Sequence, residues 1–432
     1  MSLKKLCLLI LVLMGTSLVR AQGTASAIFL LISPGARAGG MGEAQVAVAN
    51  DSYASYWNPA GLAFQKGVEI SGMHVNWLPG LVNDMYYDFL AIRVPAPSYY
   101  GVVGGHIIYL DAGKQTWTDD QGNELGTFST YFTAAALSYA TMLSDNSSIG
   151  FNFKVVYQHL ADRGVTVGSE NTNPIATSLG VDIGYLKRHW LSDRLDFGVL
   201  LSNVGPKVTF NDKAQADPMP TNLKVGWNWR VIKGQYNTLN LVYDVNKLLV
   251  ASYPDMDWDG DGFVGGYDQH GNKYIVNNEV LQGDYNAKGQ RETAHTDPWY
   301  LALVTSWLDD WYLGGDRDLD NDKKIGGYNA DTVAVAGGKY NSLGQLEVGN
   351  AKQRSFSAEL RSLVHNIGLE YWYNQMFAIR GGFYYDYEGK IIAPTLGIGL
   401  RYGNYGFDFG YIVEKQDHPL NNTMRFSLLI KF

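Results

Sequence analysis

Residues 257–268 read DWDGDGFVGGYD, with Asp257, Asp259 and Asp261 at positions one, three and five and Gly262 at six. Val264 follows at eight and Asp268 at twelve. Such spacing suits calcium, because a glycine at six lets the chain turn sharply and the hard carboxylate oxygens then converge. A second stretch, DLDNDKKIGGYN at 318–329, aligns with it residue for residue. Asp318, Asp320 and Asp322 hold one, three and five, Ile325 sits at eight and Asn329 at twelve, while Lys323 replaces the glycine. Neither loop carries the bidentate Glu usual at twelve. Two expectations therefore stand for both segments: a repeated calcium-binding unit that braces its surroundings, or solvated acidic loops on an exposed surface. No other constellation promises chemistry. The eight His are scattered without metalloprotease spacing, and neither a GxSxG elbow nor a phosphate loop is present. No catalytic residues are expected.

The elements that carry these loops are strands. At the C-terminus Met424, Phe426, Leu428, Ile430 and Phe432 alternate with Arg425, Ser427, Leu429 and Lys431, a period of two. Alternating segments recur at about 67–77, 84–94, 98–110, 127–140, 147–159, 174–187, 193–203 and 220–231. They continue at about 236–247, 354–371, 376–386, 390–403, 404–414 and 422–432. Apolar faces such as Phe151, Phe153, Val155 and Leu179, Val181, Ile183 back onto Asn152, Lys154, Gln158 and Asp182. Aromatics cluster at strand ends, as in Trp227/Trp229 and Tyr371/Trp372/Tyr373, and fit interfacial girdles better than a soluble sandwich.

Fourteen strands return both termini to one side; the inner connections are short and the outer ones longer, except for a short outer one around Tyr387–Gly389. The outer connections include 111–126, 160–173, 204–219 and the insertion at about 248–353. Within that insertion, Asp297 as N-cap and Pro298 at the first helical position predict a short helix in 297–312. The reading is all-β: a transmembrane antiparallel β-barrel of about 14 strands, closed because lipid offers no partner to an open edge. Its terminal aromatic, Phe432, suits the membrane interface.

At the front, Lys4 and Lys5 precede the apolar run LCLLILVLMGTSLV, and a small residue, Ala21, precedes the expected cut. Residues 1–21 therefore read as a signal peptide, and the only cysteine, Cys7, lies inside it. Removing this segment takes away three basic residues and no acidic ones, moving the net charge from -8 to -11. An acidic exported chain is a poor candidate for nucleic acid; the expected solvent is outer-membrane lipid.

Between signal and barrel (67–432) lies a Gly- and Ala-rich segment, 22–66, either a periplasmic lead-in or a plug packed inside the lumen. As a plug, Arg37 would need an internal carboxylate such as Asp182, Asp196 or Asp244. Its core, GARAGGMGEAQVAVANDSYASYWNPAGLA, resembles the N-terminal signature of the PorV/PorQ proteins, which belong with the FadL-like outer-membrane barrels. The matching residues are Arg37, Gly39, Gly40, Met41 and Gly42, then Asn58, Pro59, Ala60 and Gly61.

This resemblance implies a non-enzymatic barrel of the bacterial outer membrane, with an N-terminal hatch, serving type IX protein secretion. Its implied partners are a giant translocon, the C-terminal signal domains of secreted cargo and a sortase-like attachment complex. Phe432 then resembles the terminal signal read by the outer-membrane assembly machinery. The alternative within the same superfamily is a FadL-type transporter of hydrophobic small molecules, which would need an apolar pocket near the hatch. The lumen faces are mostly polar, with Leu200 and Leu429 as exceptions. If partners dock outside, the aromatics Trp258, Phe263, Trp299, Trp307 and Trp311 of the insertion are the candidate contacts.

Overall fold

The computed structural model describes residues 25–96, 101–118, 121–161, 166–167, 170–171, 175–210, 216–273, 283–309, 315–349, 356–414 and 418–432. The expected signal peptide lies outside these residues. Fourteen antiparallel strands close into one barrel. The first five are β1 (Glu69–Asn76), β2 (Tyr86–Pro95), β3 (Val102–Thr118), β4 (Glu124–Ser144) and β5 (Ser147–His159). Next come β6 (Ile175–Lys187), β7 (Leu195–Val204), β8 (Asn222–Lys233) and β9 (Asn237–Leu248). The last five are β10 (Val364–Tyr373), β11 (Phe377–Asp386), β12 (Ile391–Tyr402), β13 (Tyr405–Ile412) and β14 (Met424–Lys431). Closure is made by β1 against β14, with Glu69 opposite Lys431 and His74 opposite Phe426. Phe432 extends this seam, its N–H donating to Val68 O at 2.9 Å.

The period of two sorts each strand into two environments. Phe151, Phe153 and Val155 of β5 point outward and are exposed, while Asn152, Lys154 and Gln158 point inward and are buried. β14 repeats the pattern: Met424, Phe426 and Leu428 outside, Arg425, Ser427 and Leu429 inside. Among the described residues no helix is long and apolar enough to cross a membrane. So continuous an apolar exterior, in contact with water, would aggregate; around a closed barrel it is the lipid-facing belt. Tyr86, Tyr109, Tyr131 and Tyr157 stand side by side on β2–β5, their ring centroids 6.0 to 6.1 Å apart. They form one arc of an interfacial girdle.

Four sequence expectations need correction. Trp372 does not join the girdle: it faces inward, with the Arg380 and Arg401 guanidinium carbons each 5.3 Å from its ring. Much of the outer connection expected at 111–126 is strand, because β3 and β4 continue upward as a ribbon pairing Lys114 with Ser129 and Trp117 with Gly126. The strand expected from 354 begins at Val364, after a helix, α4 (Phe356–Arg361). Lys247 Nζ of β9 holds this helix, donating to Ser362 Oγ at 2.5 Å and pairing with Glu359 at 3.4 Å. In the insertion, α3 (Trp299–Thr305) is capped by Pro298; Asp297 instead accepts a bond from Thr305 Oγ1 at 2.7 Å.

Candidate functional site

The segment before β1 lies inside the lumen. It contains two one-turn helices, α1 (Ala36–Gly39) and α2 (Ala54–Trp57), and two 3-10 helices, Ile28–Leu31 and Pro59–Phe64. Alone, these short turns cannot persist in water; the barrel wall holds them. Close approach is possible because inward wall positions are glycine. A Cβ on Gly382 would fall 2.1 Å from Gly42 N, one on Gly368 2.6 Å from Met41 O, and one on Gly410 2.4 Å from Ala36 O. Across the lumen, Gly150 and Gly184 give the same clearance to Pro59 and Asn58.

Each residue of the sequence signature takes part in this seating. Gly39 leaves room for the Arg425 side chain, and Gly40 rests on Gly397. Gly42, at φ +63, sits against the backbones of Phe383 and Ile367. Its N–H donates to Thr395 Oγ1 at 2.8 Å and its carbonyl accepts from Asn366 Nδ2 at 2.6 Å. Met41 is fully buried. Asn58 Nδ2 donates to Tyr185 O of β6 at 3.0 Å and its Oδ1 accepts from Ala60 N at 3.2 Å, capping the 3-10 helix that Pro59 begins. Ala60 O accepts from Ser148 Oγ at 2.7 Å, and a Cβ on Gly61 would strike Ala49 O.

Charge bolts the segment in place. Arg37 Nε and Nη2 donate to Glu370 Oε1 and Oε2, both at 2.8 Å, and Nη1 donates to Asp51 Oδ2 at 2.9 Å. Glu370 also accepts from Arg380 Nε at 2.9 Å, and Arg380 Nη1 reaches Asp408 at 2.8 Å. A second link joins Arg425 Nη2 to Glu43 Oε1 at 2.6 Å. The expected partners of Arg37 are engaged elsewhere. Asp182 pairs with Lys154 and Asp196 with Arg230. Asp244 does hold the hatch, but through backbone: Gln45 N–H and Val46 N–H donate to its Oδ2 at 2.7 and 2.8 Å. With Nε, Nη1 and Nη2 all engaged by carboxylates, the cost of burying the Arg37 guanidinium is offset.

The aromatic side of the hatch completes the fill. Trp57, Tyr56 and Tyr53 pack with Phe29 and Phe89 in one buried cluster. Lys224 Nζ lies over the Trp57 ring at 4.7 Å. Beside it Leu30, Leu31, Tyr56, Lys154, Leu200, Ser202, Asn203 and Lys224 line a cavity of about 10 Å³, room for roughly one water.

The insertion between β9 and β10 brings Asp257, Asp259 and Asp261 together, with a carboxylate oxygen of each within 4.8 Å of the others. Asp268 stands apart, closing its own turn by accepting from His270 N and Asn272 N at 2.8 and 2.9 Å. In the second loop Asp318 and Asp320 gather with Glu347, whereas Asp322 caps Lys324 N at 2.8 Å. Sequence reasoning missed Glu292 and Glu347. Each closes a hairpin of related sequence, YNAKGQRE (285–292) and YNSLGQLE (340–347), which was the available signal. Burial pushes both carboxyls above the usual range.

Of the aromatics expected to contact partners, Trp258 is half-buried against Tyr253, and Trp307 is exposed with Lys247 Nζ 5.7 Å from its ring centroid. Phe263 and Trp299 are exposed. Trp311 lies outside the described residues. Tyr300, Leu301, Val304 and Leu308 extend the exposed apolar face of α3 and its C-terminal turn.

Residues 18–255 match the family described as Type IX secretion system protein PorV. No curated protein matches the chain. Among solved structures, the Ralstonia pickettii toluene transporter TbuX is 13% identical, with 94% of this chain and 100% of that one covered and a TM-score of 0.46. The P. putida toluene transporter TodX is 10% identical, over 93% and 99%, at 0.45. A Pseudomonas aeruginosa FadL homologue is 9% identical, over 92% and 98%, at 0.41.

Proposed function

This chain belongs to the family of the type IX secretion system protein PorV, and from that premise we propose that it docks secretion partners on its outer face. It is an outer-membrane β-barrel of that system; the docking role is the further step. Its partners in this reading are the translocon, the C-terminal signal domains of cargo and a sortase-like attachment protein.

One observation carries the reading: the lumen is occupied by a hatch that wall glycines admit and the Arg37–Glu370 and Arg425–Glu43 pairs bolt down. A cargo domain has no room beside it, so the work falls to surfaces outside the lumen. The insertion supplies such a surface, with Trp299, Tyr300, Leu301 and Val304 exposed at the outer end and aromatics of the kind that dominate hot spots. For the alternative, a transporter of hydrophobic small molecules, the described cavity beside Tyr56 and Leu200 has room for only about one water.

Photo-crosslinking from Tyr300 in intact outer membranes tests this. Docking predicts adducts with a large barrel, a cargo tail or a sortase-like protein. Recovery of fatty acid alone, with no protein adduct, contradicts it.

A further inference from the structure

The outer insertion is built twice. Asp257, Trp258 and Gly265 of the first loop correspond to Asp318, Leu319 and Gly326 of the second. In each, the first Asp accepts two loop amides: Asp257 from Gly260 N and Gly262 N at 2.6 and 2.8 Å, Asp318 from Asn321 N and Lys323 N at 2.7 and 2.8 Å. In each, a Glu arrives from the downstream hairpin. Glu292 accepts from Trp258 N and Gly265 N at 3.0 and 2.6 Å; Glu347 accepts from Leu319 N and Gly326 N at the same distances. The copies pair about a local twofold axis, with corresponding residues opposite each other: Met256 with Arg317, and Phe263 with Lys324.

The third ligand position is what the hydrogen bonds leave unexplained. Asp259 Oδ1 and Asp320 Oδ1, the same atom in both copies, are shut off from solvent and meet no hydrogen-bond donor. An orphaned carboxylate oxygen is costly, and a fold that repeats it in both copies has a use for it. Lys323, beside the second site, spends its charge on Asp255 at 2.5 Å. We infer that the insertion binds two calcium ions. Asp257, Asp259, Asp261 and Glu292 hold one; Asp318, Asp320 and Glu347 hold the other. Oxygen-only donors arranged as a protein cage favour calcium over magnesium, which keeps most of its water. The Glu that each sequence motif lacks at position twelve is supplied from the hairpin, so each ion ties a loop to a segment more than 20 residues downstream. With Cys7 the chain's only cysteine, ions rather than disulfides fasten the insertion.

Equilibrium dialysis of the full-length barrel in detergent against radioactive calcium tests the assignment. Two ions per chain are expected on the wild type, and one each on Asp259→Asn and Asp320→Asn. Glu292→Gln is expected to weaken one site, and Asp268→Asn neither. Fewer than one ion on the wild type at millimolar calcium overturns the proposal, leaving acidic loops only. Loss of an ion in Asp268→Asn but not in Glu292→Gln overturns the ligand assignment. Proteolysis of the wild type within 250–350 gives a second readout. Calcium at ten times Kd should slow cleavage through local opening about tenfold, and equal rates in calcium and chelator contradict the inference.

Discussion

Arg37 of the hatch and Glu370 of β10 meet in a two-pronged ion pair at 2.8 Å, both side chains removed from solvent. The pair joins residues 333 positions apart and fastens the lumen filling to its wall. Truncating Arg37→Ala leaves Asp51 short of its cation and Glu370 with Arg380 alone. Loss of about 3–5 kcal/mol is expected from such a change, read by urea unfolding in lipid vesicles. A loss under about 1 kcal/mol, the range of exposed pairs, would mean the hatch is not held here.

The wall glycines make a sharper prediction because they come with a built-in control. Gly382→Ala places a methyl 2.1 Å from Gly42 N, whereas at adjacent Gly381 nothing lies within 4 Å. The first substitution should cost about 1–3 kcal/mol and expose the hatch to added protease. The second should stay within about 0.5 kcal/mol. Equal effects at both positions would remove the close-approach argument.

Much of the barrel was legible because lipid outside and a polar fill inside impose a two-residue period, as in β5 and β14. The hatch motif was legible as a motif. Its partners were not. Glu370 and Asp182 look alike in sequence, both inward carboxylates on alternating strands, and only the closed geometry selects between them. Trp372 misled because an aromatic at a strand end reads as a girdle residue, while its inward register places it beside Arg380 and Arg401. The inward glycines were hidden for a related reason: a glycine weakens a strand, and its benefit appears only when a second backbone is laid against it. Asp268 misled through the local spacing rule, since its carboxylate closes its own turn on His270 N and Asn272 N and stands apart from the other three.

In the insertion, Trp299→Ala is expected to cut capture of a secretion partner about tenfold or more, as loss of a hot-spot aromatic does. Unfolding of the barrel should not move, because Trp299 is 41% exposed. Pull-down from membranes beside the urea midpoint separates the two effects. Capture unchanged by this substitution would shift the docking surface away from α3.

A substitution at Phe432 tests assembly apart from stability. Its side chain is 72% exposed, while its backbone N–H continues the closing seam through Val68 O. Phe432→Asp should therefore lower the amount of folded barrel reaching the outer membrane, while the same protein refolded in detergent keeps its stability within about 0.5 kcal/mol. A loss of stability in detergent, or normal amounts in the membrane, would assign the residue no assembly role.

The proposed docking outside the hatch-filled lumen is tested most directly by locking the hatch. Ser52 Oγ and Ser71 Oγ lie 2.6 Å apart, one on the hatch and one on β1, so Ser52→Cys with Ser71→Cys brings two thiols within bonding reach. Secreted cargo is then measured from cells carrying the locked protein, with and without reductant. Equal export in both conditions is the predicted result. Export that stops while the bond is closed and resumes on reduction would show that the hatch must move, and would contradict the account.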